Sequence, residues 1–323
     1  MSLPFNGADD GADPKNDHII TSQNIKSEDN NDLRFGTVAI VGRPNVGKST
    51  LLNALIKQKL SITSRKPQTT RHRIIGVLTE SNAQFVFVDT PGFQTKHNNS
   101  LNKHLNRTVK TTLYAVDLIV YMVEAPTLNE ADRQIIKFLS NDIPVLAIIN
   151  KIDQVKNKTE LLPYLKNLSE AYHFAELIPI SAKSTSDVAK LLPIFRRFLP
   201  QGEAQHSADT LTDRSERFLA TEIIREKIFR LTGDEIPYNS TVIIDQFEQQ
   251  GRLRRVFASI IVNRNNHKMM VIGAKGAKLK QISMDSRLAM EALFDGPVYL
   301  EIFVKVKSGW ADNEETLRSY GYE

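Results

Sequence analysis

The segment Gly42-Arg43-Pro44-Asn45-Val46-Gly47-Lys48-Ser49 lies between an apolar run at residues 37–41 and a helical pattern over residues 47–57. The pattern G-x-x-x-x-G-K-[ST] in that position requires a strand, a tight glycine turn and a helix start in immediate succession. The glycines let the backbone wrap a polyphosphate, and the helix N-terminus adds favourable partial positive charge. Further apolar runs at 85–88, 118–123, 145–149 and 177–180 alternate with helical patterns at 131–139 and 159–172. This alternation predicts an α/β P-loop domain, a mostly parallel doubly wound sheet with helices on both faces.

The chain has 323 residues, more than one core usually serves, so two domains are expected. Residues 1–34 are rich in Asn, Asp, Gly and Ser and are read as a disordered acidic tail, since few large apolar side chains offset the ordering entropy. The P-loop domain is placed at 35–200 and a polar linker at 201–212. A second domain at 213–323, ending in a C-terminal tail, reads α-β-β-α-α-β. The three parts carry net charges of −4 (1–34), +9 (35–204) and 0 (205–323). The absence of cysteine excludes disulfides, thiolate metal sites and cysteine catalysis. No secretory signal and no run of about 20 apolar residues is visible, so a cytoplasmic protein is expected.

Four further motifs follow the phosphate loop in order. In the loop itself Lys48 should reach the β- and γ-phosphates, while the Ser49 hydroxyl binds Mg²⁺ and Thr50 continues the helix start. Asp89-Thr90-Pro91-Gly92 follows a strand. Asp89 would hold Mg²⁺ through water, and the Gly92 N–H could sense the γ-phosphate. Asn150-Lys151-Ile152-Asp153 ends another strand, where ligands bind on such sheets. The Asp153 carboxylate can accept from guanine N1–H and N2–H₂ together and Asn150 can reach the base edge, a pairing that selects GTP over ATP; a plain helix N-cap at Asp153 is the alternative. Ser181-Ala182-Lys183 can complete the base pocket through backbone N–H groups. Between the first helix and the second strand, Thr70 (preferred to Thr69) is the hydroxyl that would bind Mg²⁺ only when the γ-phosphate is present, ordering its loop. Arg71, His72 and Arg73 beside it are equally compatible with a basic solvated loop. Lys48, Thr70, Asp89 and Gly92 are therefore the expected catalytic set.

In the second domain Gly273-Ala274-Lys275-Gly276 opens an amphipathic helix, the G-x-x-G arrangement with which KH domains clamp single-stranded RNA backbone. Residues 251–280 contain Arg252, Arg254, Arg255, Arg264, Lys268, Lys275, Lys278 and Lys280 with no Asp or Glu. These arginines and lysines are expected to form the RNA-binding zone, against the alternative of a solvated strand face.

The first set of motifs resembles the translation-factor-related GTPases, with Phe93 where a catalytic glutamine often stands. In GTPases with a hydrophobic residue there, the asparagine matching Asn45 helps hold a potassium ion in place of an arginine finger. The resemblance extends the same expectation to this chain, beside the possibility that Asn45 only shapes the loop. A P-loop GTPase joined to a KH domain of bacterial type (type II) resembles the Era family. The residues that carry this are the phosphate loop, Lys-Pro-Gln-Thr-Thr-Arg-His-Arg at 66–73, Asp-Thr-Pro-Gly-Phe at 89–93, the G-x-x-G helix and Lys-Val-Lys-Ser-Gly-Trp at 305–310. The tail and Ser283 depart from the family pattern. The resemblance implies GTP hydrolysis with Mg²⁺ and binding of the 3′ end of 16S ribosomal RNA. It also implies assistance to 30S subunit maturation, with peripheral contact at the inner membrane for some members; no DNA partner is expected.

Overall fold

The computed structural model describes residues 33–64, 66–93, 100–126 and 128–322. The predicted tail up to residue 32 lies outside them, but Arg34 does not belong to a tail: it opens the first strand, and its guanidinium donates to Leu199 O at 2.7 Å.

The first half of the chain is built from β1 (Arg34–Val41), α1 (Lys48–Ile56), β2 (Ile74–Glu80), β3 (Ala83–Asp89), α2 (Ser100–Leu113), β4 (Leu118–Glu124), α3 (Glu130–Ile136), β5 (Val145–Asn150), α4 (Leu161–Ala171), β6 (Glu176–Pro179), α5 (Thr185–Ala189) and α6 (Leu191–Arg196). The strands form one sheet in the order β2-β3-β1-β4-β5-β6, and only β2 is antiparallel to its neighbour. Central strands β1, β3, β4 and β5 are buried almost throughout, which is why they read as continuous apolar runs. One core, with Val38, Leu52 and Phe87, lies on the α1, α5 and α6 face; another, with Tyr121, Ile149 and Leu168, lies on the α2, α3 and α4 face. Strand β2, broken by Gly76 and partly exposed at the sheet edge, and helix α2, whose 14 residues average hydrophilic, gave no comparable signal.

The second half holds α7 (Glu216–Leu231), β7 (Ser240–Gln250), β8 (Leu253–Val262), α8 (Asn265–Ile272), α9 (Ala277–Phe294), β9 (Val298–Val306) and α10 (Glu314–Ser319). The order α-β-β-α-α-β is the one expected. Strands β7 and β8 are antiparallel, β8 and β9 parallel, and α7 and α9 cover one face of the sheet. Ser215 caps α7 by accepting from Phe218 N.

The linker is not a loose tether. Fully buried Gln84 on β3 accepts from Gln205 N and His206 N (2.8 and 2.9 Å) and donates to His206 O. Val77 N donates to Leu211 O and Thr212 to Ile75 O, so this segment runs along the β2–β3 edge. The C-terminal tail is likewise packed. Trp310, Leu317 and Tyr322 are buried with Leu101 and Leu105 of α2 against Ile261 of β8. Large side chains at 310–322 thus fill the space between the two halves.

Candidate functional site

The phosphate loop turns at the end of β1 and opens α1. Gly47 has φ of 108°, and a side chain there would meet Asn150 Nδ2 at 2.2 Å, so only glycine allows this approach. Buried Lys48 donates to Gly42 O and Arg43 O at 3.0 and 2.9 Å, curling over the loop. Burial lowers its pKa to about 8, opposed by nearby Asp89 and reinforced by Arg43.

Asp89, at the end of β3, is fully buried, and its Oδ2 accepts from Ser49 (2.7 Å), Ser61 (2.7 Å) and Thr70 (3.2 Å). Among the described residues its Oδ1 has no hydrogen-bond partner. Burial raises the Asp89 carboxyl above its ordinary range, against the pull of Lys48 and the three hydroxyls. A cationic lysine and an anionic aspartate, both pushed toward neutrality by burial, are compensated by an incoming polyphosphate and a cation. The oxygen donors Ser49, Thr70 and Asp89, with one carboxylate oxygen left over, fit a hard divalent ion such as Mg²⁺. Ser61 belongs to this cluster although no motif pointed to it; fold proximity alone places it there.

Of these groups Lys48, Ser49 and Thr70 face a cleft of about 740 Å³ that runs past Pro44, Asn45, Thr50, Thr69 and Gly92 to Lys151, Asp153, Ser181, Ala182 and Lys183, with Asp89 buried behind them. The expected phosphate and base ends are therefore one continuous groove. Gly92 sits so close to the loop that a Cβ would meet Pro44 at 2.8 Å. Asp153 stands exposed on a short 3₁₀ turn at the base end.

Several expected contacts are redirected. The Asn150 amide donates to Val46 O (2.6 Å) and its Oδ1 accepts from Ala182 N (2.8 Å), so Asn150 ties the phosphate loop to the 181–183 segment and does not present its amide to a base. Arg43 points away from the loop to Asp132 (3.2 Å) and Glu124 (3.6 Å), and Lys151 pairs with Glu124 at 2.8 Å. Val46 is core, and buried Thr90 donates to Ile40 O, so its side chain faces inward beside buried Pro91. Phe93 packs against Phe138 with ring centres 5.2 Å apart, on the α2 and α3 side. Asn45 has φ of 67°, a left-handed conformation asparagine tolerates better than most residues.

The segment after Thr70 is not a solvated basic loop. Arg71 is buried and donates to Pro237 O (2.7 Å), Ser240 O (2.9 Å) and Tyr322 Oη (3.2 Å), all in the second half. Arg225 of α7 donates to Thr69 O at 2.9 Å and pairs with buried Glu222. His72 stacks on Tyr322 with centroids 4.7 Å apart. Burial, together with Arg225, Arg214 and Arg71, pulls His72 down to about 3. Burial would raise Tyr322, but Arg71 and Arg225 bring it below its ordinary value.

In the second half Gly273 and Gly276 have φ of 73° and 78°, and Lys275 between them has φ of 50°, so the loop turns its backbone outward between α8 and α9. Ala274, Lys275 and Lys280 are exposed and Lys278 half-buried, with exposed Met269 on the adjoining helix. Arg252, Arg254 and Arg255 do not share this surface. Arg254 forms a two-pronged pair with Glu216 (2.7 and 2.8 Å), and Arg252 donates to Asp295 O at the far end of α9. An 18-residue helix, about 27 Å long, separates that end from the loop. Arg255 lies over the rings of Phe257 and Tyr299. The eight basic residues are adjacent in sequence, but strand β8 separates Arg252, Arg254 and Arg255 at its start from Arg264 and the lysines beyond its end.

Comparison with known proteins identifies the family of both halves. The family model described as a 50S ribosome-binding GTPase matches residues 37–151, and the KH domain model matches residues 235–311. The chain is 51% identical to the GTPase Era of Nitrosomonas eutropha over 290 residues, covering 90% of this chain and 98% of that protein. It is 49% identical to that of Chromobacterium violaceum, covering 89% and 97%. A solved structure of a substituted Aquifex aeolicus Era bound to GDP and aluminium fluoride matches with a TM-score of 0.86 at 36% identity, over 90% of this chain and 99% of that one. A structure of Era in complex with MgGDPNP and nucleotides 1506–1542 of 16S ribosomal RNA matches with a TM-score of 0.86 at 37% identity, over the same shares.

Proposed function

The chain belongs to the Era family of GTPases, and from that premise we propose that it is a GTP-driven switch that binds the 3′ end of 16S ribosomal RNA and assists maturation of the 30S subunit. GTP occupies the cleft with its phosphates on the loop 42–49, where Lys48 and the loop N–H groups bind them. Ser49, Thr70 and Asp89 would hold Mg²⁺, which would supply charge neutralisation at the phosphates. Asp153 pairs with the guanine edge, the backbone of Ser181–Lys183 lines the base, and Asn150, which takes the Ala182 N–H, holds that backbone in place. Gly92 N–H reads the γ-phosphate. Phe93 can neither donate nor accept, so it does not position the attacking water, and Asn45 is assigned the potassium ion that the family resemblance implies. RNA backbone is clamped at the Gly273–Gly276 loop, assisted by Lys275, Lys278 and Lys280.

One observation carries the coupling between the two halves. Thr70 and Arg71 are consecutive, yet Thr70 contacts Ser49 and Asp89 while Arg71 is buried among Pro237, Ser240 and Tyr322. An event that moves Thr70 therefore moves the anchor of the second domain. GTP holds Thr70 inward and the domains docked, hydrolysis frees the loop, and the RNA is released. RNA affinity measured with a non-hydrolysable GTP analogue and with GDP tests this; equal affinities would refute the coupling. The family model's 50S description offers a second reading, which co-sedimentation with separated subunits decides. A 30S partner supports a cytoplasmic location. Contact with the inner membrane would be peripheral, since no helix among the described residues is long and apolar enough to cross it.

A further inference from the structure

We propose that a pocket of about 260 Å³ between α2 and α10 is a second phosphate site, taking a backbone phosphate of the bound RNA beyond the reach of the Gly273–Gly276 loop. The inference rests on the RNA-binding reading above. Lys103, His104 and Arg107 of α2 face Glu314 and Arg318 of α10 across it. Position 107 lies one turn beyond 103 and 104, so the three share a side of α2, while Leu101 and Leu105 pack inward. Lys103, Arg107 and Arg318 are exposed, and among the described residues none of the three has an ion-pair partner. Three cations against the single carboxylate of Glu314 leave an excess of two positive charges. Segments more than 200 residues apart in the chain bring them together. Folding collects like charges here at a Coulombic cost that an anion would relieve. Burial, with Arg107 adding to it, holds His104 below its ordinary pKa, so at neutral pH it serves as a hydrogen-bonding group and not as a further charge.

Size and place select the anion. The pocket falls below the roughly 300–1,000 Å³ of small-molecule sites, which suits a phosphodiester better than a whole nucleotide. Arginine forks are matched to phosphate oxygens. Lys307 N donates to Val262 O at 2.9 Å, so the chain leading to α10 leaves the same end of the three-stranded sheet from which α8 and the G-x-x-G loop depart. The loop is on the α9 side and the pocket on the α2 side, about two layer thicknesses or roughly 20 Å apart. A KH loop clamps about four nucleotides. A longer strand passing over the sheet end meets α2, the helix that follows the Asp89–Phe93 turn.

The test is Arg107→Gln combined with Arg318→Gln in the full chain, with the GTP analogue bound and RNA affinity measured across a salt series. The probes are a short RNA of about four nucleotides that fills the loop alone and a longer one matching the 16S 3′ end. For the long RNA the log–log salt slope should become less steep by about 0.7 for each phosphate that the variant no longer neutralises, about 5-fold in affinity per phosphate at roughly 0.1 M salt relative to 1 M. The short RNA should bind the variant as it binds the parent, and RNA-free GTP turnover should be unchanged. An unchanged slope with the long RNA overturns the proposal, as does an equal weakening of both RNAs, which would mark a general field. Inorganic phosphate that competes with the long RNA on the parent without weakening the short one would assign the pocket to a free anion and overturn the RNA assignment. A parent protein that fails to bind the short RNA overturns the RNA-binding reading itself, and this proposal with it.

Discussion

Replacing Arg71 by methionine isolates the link between the nucleotide loop and the KH domain. The guanidinium donates to Pro237 O, Ser240 O and Tyr322 Oη and lies 5.7 Å from the centre of the Trp310 ring. Methionine fills much of the same volume without a donor. Tyr322 Oη keeps its hydrogen bond with Thr241 at 3.0 Å, but the Pro237 and Ser240 carbonyls are deprived of Arg71 as a donor where it is only 2% exposed. Each orphaned buried acceptor costs about 1–3 kcal/mol. Removal of a buried cation returns part of its desolvation penalty. The net expectation is about 2 kcal/mol against docking, a shift of about 30-fold in the docking equilibrium. The assay is the ratio of RNA affinities with a non-hydrolysable GTP analogue and with GDP, read beside hydrogen exchange in α7. The Arg71→Met ratio should fall toward one and α7 should lose protection, while GTP affinity changes little. An unchanged ratio with unchanged protection would refute the argument that this side chain transmits the state of Thr70.

Asn150→Ala should cost about 3 kcal/mol by leaving Val46 O and Ala182 N without their partner, lowering the melting temperature by about 6–12 °C and weakening GTP binding; an unaltered melting curve would show that backbone packing alone holds the loop. Turnover should rise when sodium is replaced by potassium, and both Asn45→Ala and Asn45→Gly should abolish that rise. Glycine preserves the left-handed backbone at φ 67°, so a potassium response retained in Asn45→Gly would show that the side chain holds no ion. His72 is held near 3, below its ordinary value, so its contribution to stability is complete above about pH 6.5 and declines as the pH falls toward 3. With its ring partly open to water, the loss by about pH 4.5 should be about 1–2 kcal/mol; calorimetry of His72→Gln should show a shallower acid decline, and an identical decline would remove His72 from the account.

The amino-acid sequence alone determined the P-loop domain and its chemistry, because each motif is local. Residues 42–49 impose a turn on a strand and a helix start, and Asp89, Asn150 and Ser181 each follow an apolar run that could only be a buried strand. The α-β-β-α-α-β order of the second half was legible for the same reason, since the period of its apolar residues changes from element to element. What tertiary structure decided is which polar groups face the cleft. Asn150 looks like a base contact until Val46 and Ala182 are brought beside it, and Ser61 looks like nothing until β3 delivers Asp89 to it. Arg254 and Lys275 share one basic stretch of sequence, yet a strand and a helix of opposite direction set them at opposite ends of the domain. Arg71 and Tyr322, 251 positions apart, meet because a long cationic side chain can be buried only where distant backbone carbonyls converge, and convergence of that kind is written in no local pattern.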